Sequence, residues 1–264
     1  MNGMFAQFCG HPMIKIRVQE HPKHDIWFDN DLITQKQALL CLDIEKSGAD
    51  HLITGKASGR GTTWFLQLTA TLEVAVRRYR RGGVIGRFIK ERFFFLGTSK
   101  LRSYAELKLL EKLSERGVHV PKPVCASVTF VTPFSYTADI VTQRIHHARD
   151  LAETLSQSTL PTDVWQTIGI EIAKMHNIGV NHTDLNLRNI MLDSQQQAWL
   201  IDFDKCIDES ARGVGFLGQT RWKTNNLSRL KRSLLKEQSL RTCHWSENDW
   251  QTLLDSYHQT MAQP

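Results

Sequence analysis

Residues 182–204 read HTDLNLRNIMLDSQQQAWLIDFD, and no other run limits the possible folds so much. Two short apolar segments, IMLD and AWLIDFD, flank a polar stretch, so they read as antiparallel strands joined by a turn. A polar loop precedes the first strand. Asp184 and Asn189 stand five positions apart in that loop, and Asp202 follows Asn189 by thirteen positions at the end of the second strand. A turn between the strands returns the chain, so the three oxygen-bearing side chains can converge. Upstream, Trp165, Ile168, Ile172 and Met175 fall at i, i+3, i+7 and i+10, which predicts a helix with Gly179 as its terminator.

Each of these Asp and Asn residues, taken singly, is an ordinary turn-former on a hairpin. Together they form a set that phosphoryl transfer requires. Mg²⁺ takes hard oxygen ligands and keeps waters, so one carboxylate and one amide oxygen suffice beside nucleotide phosphates. A separate carboxylate must orient the attacking hydroxyl and accept its proton. Asp184 suits the base, and Asn189 and Asp202 suit the metal.

The rest of the chain divides into a β-rich amino-terminal part and a helical carboxy-terminal part, with residues 1–145 as one lobe and 146–264 as the other. HDIWFDNDLITQKQALLCLD predicts a strand followed by a helix. LITGKASGRGTTWFLQL reads as strand, Gly-rich turn and strand, and LEVAVRRYRRGG as a third strand ended by a glycine pair. Residues 103–116, SYAELKLLEKLSER, place Leu107, Leu110 and Leu113 on one helical face, with Gly117 as a stop. YTADIVTQRI is another strand. Ser246 is the expected N-cap of a final amphipathic helix carrying Trp250, Leu253, Leu254, Tyr257 and Met261.

Within the first lobe, Gly55, Gly59 and Gly61 lie in the Gly-rich segment GKASGRG, the candidate cover for a nucleotide. Glycine lets a backbone approach phosphates closely and exposes its amide donors. An isolated run of this kind is equally at home in a plain hairpin. Arg77 follows the strand residues VAV, and Glu106 lies on the next helix. A guanidinium there can clamp phosphates in two places and pair with Glu106, or it can face solvent.

Lys and Arg outnumber Asp and Glu by 33 to 27, a balance that favours anionic partners. The excess is concentrated in Arg77–Lys90 and in RWKTNNLSRLKRSLLKEQSLR. On a helix, the second stretch aligns Leu227, Leu230 and Leu234, with Arg229, Lys231, Arg232 and Lys236 around the rest. Such segments lie on anionic membranes or bind acidic ligands, or are simply solvated helix faces. No nucleic-acid motif accompanies them, so no nucleic acid is expected, and no protein partner is expected either. Five scattered cysteines form no zinc or disulfide framework and read as reduced thiols. No run of about 18 apolar residues is present to span a membrane.

The loop and the second Asp resemble the catalytic loop and metal-binding Asp of the protein kinase superfamily, which implies an α+β, two-lobe, protein-kinase-like fold with a β-rich N-lobe and a mainly helical C-lobe. There are departures. DFD stands for DFG, so Asp204 takes the Gly position. HTD stands for HRD, which removes the Arg that pairs with a phosphorylated activation segment. The D-L-N start lacks the Lys of D-x-K, which favours a small-molecule or glycolipid hydroxyl over a protein side chain. Arg77 stands where the superfamily has Lys.

More narrowly, GKASGRGTTWFLQL, RRYRRGG, VPKPVCA, ADIVTQRI, HTDLNLRNIML, WLIDFDKC and NLSRLKRSLLKE together resemble the 3-deoxy-D-manno-octulosonic acid (Kdo) kinases. The resemblance covers roughly residues 50–260. It implies an ATP- and Mg²⁺-dependent kinase of lipopolysaccharide assembly in a Gram-negative bacterium. The acceptor would be the 4-hydroxyl of Kdo on a lipid A precursor, met at the cytoplasmic face of the inner membrane, with its anionic surface as a second partner. Another sugar or heptose kinase and a non-enzymatic, pseudokinase-like module that binds lipopolysaccharide precursors are the alternatives. The intact Asp184, Asn189 and Asp202 set argues against the module.

Overall fold

A computed structural model of the chain describes residues 14–18, 24–42, 44, 49–58, 62–79, 93–95, 97, 101–211 and 216–263. The chain folds as two units: Met1–Glu111 with Lys122–Arg144, and Lys112–Pro121 with Ile145–Pro264.

Among the described residues, the first unit is built on an eight-stranded antiparallel sheet. Its strands are β1 (Ile14–Val18), β2 (His24–Phe28), β3 (Ile53–Ser58), β4 (Thr62–Gln67), β5 (Glu73–Arg78), β6 (Phe93–Phe94), β7 (Pro123–Thr132) and β8 (Ser135–Gln143). They run in the order β1-β2-β7-β8-β5-β4-β3, with β6 also on β8. Helix α1 (Gln35–Leu42) covers one face, where Ala38, Cys41 and Leu42 pack with Ile26, Phe28, Leu66, Val74, Val76, Val124 and Val141. Burial pushes the Cys41 thiol up to about 12 and raises that of Cys125, so both act as small apolar side chains.

Side chains alternate across a strand. Val74 and Val76 of β5 therefore enter that core, and Arg77 and Tyr79 share the opposite face with Ala75. Helix α2 (Arg102–Glu115) meets the sheet through Ser103, whose hydroxyl donates to the Ser127 carbonyl of β7 at 2.8 Å.

The second unit is mainly helical. It holds α3 (Leu151–Gln157), α4 (Thr162–Asn177), α5 (Phe216–Leu240) and α6 (Glu247–Met261). A three-stranded sheet pairs β11 (Ile190–Leu192) with β12 (Ala198–Leu200) and β9 (Arg149–Asp150), and β10 (Val180–Asn181) pairs with β13 (Ile207–Asp208). Helix α4 crosses α6 at Gly169, where a Cβ would lie 2.3 Å from the Leu253 carbonyl oxygen. Only glycine permits that approach. Gly179, just past the end of α4, has φ of +85°, a backbone that suits glycine. Ser246 caps α6 in a reciprocal capping box with Asp249.

The segment 117–120 belongs to this unit because α4 holds it. Buried Glu171 accepts the His119 amide at 2.8 Å, and Lys174 donates to the Gly117 carbonyl at 3.3 Å. The His119 carbonyl in turn accepts the Leu200 amide at 2.9 Å, which fixes the end of β12. The hairpin turn is closed by Asp193, which accepts from the Gln195 and Gln197 amides and from the Trp199 indole, each at 2.9 Å. Among the described residues, no helix is long and apolar enough to cross a membrane.

Candidate active site

The loop between β10 and β11 carries His182, Asp184 and Asn189 and ends in a 3₁₀ turn, Leu187–Asn189. Asn186 caps this turn by accepting the Arg188 amide at 2.9 Å. The side-chain amide of Asn186 also donates to the Asp184 carbonyl at 2.7 Å, and that of Asn189 donates to the same carbonyl at 2.9 Å. The two amides thus close the loop around the Asp184 backbone. The Asn189 nitrogen is committed to this bond, so its Oδ1 remains as an acceptor.

Asp202 lies two residues beyond β12 and is tied to the loop through its neighbour. The Ile201 amide donates to the Asn189 carbonyl at 3.0 Å, and the Ile201 carbonyl accepts from His182 Nε2 at 2.9 Å. Three residues after Asp202, the Lys205 carbonyl accepts the Thr183 hydroxyl at 3.1 Å. The loop therefore grips the chain on both sides of Asp202. The residue itself has φ of 66°, a left-handed backbone that Asp tolerates better than most residues. Phe203 is buried, with its ring 5.0 Å from that of His182.

His182 is fully buried. Its partner is a carbonyl, so Nε2 carries the proton and Nδ1 does not. Burial lowers its pKa, against the bond to Ile201 and the pull of the Asp202 and Asp184 carboxylates. The imidazole between the loop and the Asp202 strand is therefore neutral.

Behind the loop lies a buried polar chain that sequence reasoning missed. Asn226 of α5 accepts the His182 amide through Oδ1 at 3.1 Å and donates through Nδ2 to Asn181 at 3.0 Å. Asn181 donates onward to Glu209 at 2.9 Å. The same Asn226 Oδ1 faces His176 Nε2 at 3.2 Å, so that nitrogen must donate, and His176 Nδ1 accepts the Tyr257 hydroxyl at 2.8 Å. Burial lowers His176 to about 3 and raises Tyr257 to about 12, so both stay neutral near pH 7.

Helix α5 continues along the loop. The Ser233 hydroxyl accepts the Leu187 amide at 3.2 Å, and Glu237 accepts from Arg188 at 3.2 Å. With Leu230 buried between them, residues 226, 230, 233 and 237 form one stripe of the helix, set against the loop. The expectation of a leucine face holds for Leu230 and Leu234, which are fully buried. The signal for the polar stripe was its helical phase, hidden by the surrounding Lys and Arg.

In the first unit, Arg77 Nη2 bonds both Glu106 oxygens, at 2.7 and 2.8 Å, and the Tyr79 hydroxyl donates to the same carboxylate. Glu106 is 3% exposed, so it can be charged there only because donors surround it. Gly55 lies inside β3, opposite Phe65 at a register irregularity, and a Cβ there would meet Phe65 at 3.6 Å. Gly59 and Gly61 lie outside the described residues, as do Arg80, Arg81, Arg87 and Lys90.

Residues 43–257 match the model of the lipopolysaccharide kinase (Kdo/WaaP) family. The chain belongs to that family. It is a phosphotransferase with an alcohol group as acceptor. A 3-deoxy-D-manno-octulosonic acid kinase of Vibrio vulnificus (strain YJ016) is 42% identical over 242 residues, covering 92% of this chain and 98% of the relative. One from Vibrio parahaemolyticus serotype O3:K6 is 44% identical over 231 residues, covering 88% and 92%. Among solved structures, WaaP in complex with acyl carrier protein superposes with a TM-score of 0.52 at 18% identity, over 84% of this chain and 87% of that one. At that identity the likeness shows the fold, which is α+β and protein-kinase-like.

The residues present fit a divalent cation. No group of three His, Cys, Asp or Glu suited to a metal occurs among the described residues. What the loop offers is the Asn189 amide oxygen, left as an acceptor by its own nitrogen's bond, and the carboxylate of the exposed Asp202. That is a hard-oxygen pair suited to Mg²⁺ already carried by phosphates.

Proposed function

We propose that this enzyme transfers the γ-phosphate of ATP to the 4-hydroxyl of Kdo on a Kdo-lipid A precursor. The observation that carries the reading is the double grip on Ile201, which ties Asp202 to the loop of Asp184 and Asn189. The shared identity with the Vibrio Kdo kinases supports the choice of sugar.

In the step itself, Asp184 accepts a hydrogen bond from the sugar hydroxyl and orients its oxygen toward the γ-phosphorus. The new O–P bond forms as the bond to the β,γ-bridging oxygen breaks. The hydroxyl proton passes to the Asp184 carboxylate, and ADP leaves with the bridging oxygen. Asn189 Oδ1 and the Asp202 carboxylate would hold Mg²⁺, which neutralises phosphate charge when bound. His182, neutral and fixed in one tautomer, keeps the Ile201 carbonyl in place without adding charge to the site.

Residues 1–145 act as the nucleotide lobe and 146–264 as the catalytic lobe. Gly55, Gly59 and Gly61 cover the phosphates. Arg77, held by Glu106, takes the clamping part usually given to Lys, since a guanidinium keeps donors to spare after one nitrogen is used. The basic stretches suit a peripheral place on the anionic cytoplasmic face of the inner membrane, where such an acceptor is embedded.

Mass spectrometry of Kdo-lipid A after incubation with enzyme, ATP and Mg²⁺ tests this reading. A gain of one phosphate, placed on the Kdo 4-position by NMR, is expected. Phosphate found on a heptose acceptor, with Kdo-lipid A left unmodified, would move the enzyme to the heptose kinases.

A further inference from the structure

Arg229 of α5 stands beside the proposed base. Its Nη1 lies 3.8 Å from Asp184 Oδ1, and both side chains are 47% exposed. That separation is an ion pair but too long for a hydrogen bond. The guanidinium donors are therefore not consumed by Asp184, and the carboxylate is not sealed by a two-pronged clamp. Both groups are open to solvent.

Arg229 also begins a charged strip. On the helix, positions 229, 232 and 236 follow at i, i+3 and i+7, flanking the polar stripe that holds the loop. Arg232 and Lys236 are exposed and enter no ion pair among the described residues. Glu237, the one acid in α5, is already bonded by Arg188 and Arg241. From Arg229 to Lys236 the strip runs about 10 Å, longer than one phosphoryl group needs. It follows the loop side facing Leu187 and Arg188, while Asp202 joins through Asn189 and His182.

We propose that Arg229 seats an oxyanion of the acceptor next to the hydroxyl that Asp184 orients, and that Arg232 and Lys236 continue this anion site along α5. The inference rests on Asp184 being the base. It makes the acceptor an acidic glycolipid by the chemistry of the site itself. The oxyanion is either the carboxylate of the sugar acid or a phosphate of the lipid A backbone.

The test uses the purified full chain with Kdo-lipid A in detergent micelles. Arg229→Gln should raise the acceptor KM by about ten- to a hundredfold, with the ATP KM within about twofold of the parent. Arg229→Lys should recover most of the loss, and an unchanged thermal midpoint should show that the variant is folded. Two modified acceptors identify the source: one with the Kdo carboxyl amidated, one with the lipid A phosphates removed. The parent should discriminate against one of them, and Arg229→Gln should lose that discrimination. If Arg229→Gln lowers kcat with acceptor KM unchanged, or discriminates as the parent does, the proposal is overturned. Equilibrium binding of acceptor to Asp184→Asn, with and without Arg229→Gln, separates the two readings. An active Asp184→Asn protein overturns the base assignment, whereas undiminished acceptor binding in the double variant overturns the anion site.

Discussion

The side-chain amide of Asn189 donates to the backbone carbonyl of Asp184 at 2.9 Å. One bond thus joins the side chain of the candidate metal ligand to the backbone of the candidate base. The Asn186 amide on the same carbonyl makes the arrangement redundant. The loop is consequently held by its own polar side chains first, and by α5 second.

Asn226 is the residue through which α5 holds the loop. Asn226→Ala leaves the His182 amide, the His176 Nε2–H and the Asn181 Oδ1 without their partner, all in a buried site. The expected cost is about 2–4 kcal/mol, since each unsatisfied group costs roughly 1–3 kcal/mol before relaxation. Urea unfolding should show it as a lower midpoint. Turnover should fall more than about tenfold and the ATP KM should rise with it, because the displaced loop carries both Asp184 and the proposed metal ligand Asn189.

His176 gives the protein an acid sensitivity. Its folded pKa is lowered to about 3 by burial, below the ordinary value of 6.5. Above about pH 6.5 neither state takes up the proton, and stability is unaffected. Between about 6.5 and about 3 the unfolded chain binds a proton that the folded chain refuses, so stability falls as pH falls. The slope approaches 1.4 kcal/mol per pH unit, on the order expected for one full proton. Unfolding free energies from pH 7.5 down to 5 should show this loss, and His176→Gln should reduce it, with buried His182, whose pKa is also lowered, contributing the remainder.

Arg77 and Glu106 make a pair in which one partner is buried and the other is 32% exposed. Arg77→Met removes the ion partner of a buried carboxylate, with an expected cost of about 2 kcal/mol, less than for a fully buried pair. Arg77→Lys should keep much of that stability, because an ammonium can still meet Glu106. It should nevertheless raise the ATP KM by about tenfold, since the fork geometry is lost. Thermal melts and steady-state kinetics on the two variants separate the structural part from the nucleotide part.

Helix and strand order was legible because apolar periodicity dominates both units. The strand and helix in 24–42, the strands in 53–78, the helix before Gly117 and the Ser246 cap all follow from local pattern. The pairing of Arg77 with Glu106 was legible as a possibility, and period-2 alternation explains why it forms. Less could be read where long-range polar bonds decide. Asn226, Ser233 and Glu237 look like solvent-side residues in a basic helix, since nothing local says that a loop some forty residues earlier will meet them. The hold of Glu171 on His119 was hidden for the same reason. The left-handed corner at Asp202 has no glycine to announce it, and the grip on Ile201 uses backbone groups that every residue possesses. Gly55 shows the opposite failing: its place in a Gly-rich run suggested a turn, yet β pairing carries the strand through it.

Transfer of radiolabelled γ-phosphate to Kdo-lipid A by purified Asp184→Asn, compared with the parent, bears most directly on the mechanism. With folding checked by circular dichroism and nucleotide binding by titration of a non-hydrolysable ATP analogue, both should match the parent while label transfer disappears. Transfer at the parent's rate by a folded Asp184→Asn protein would contradict the account.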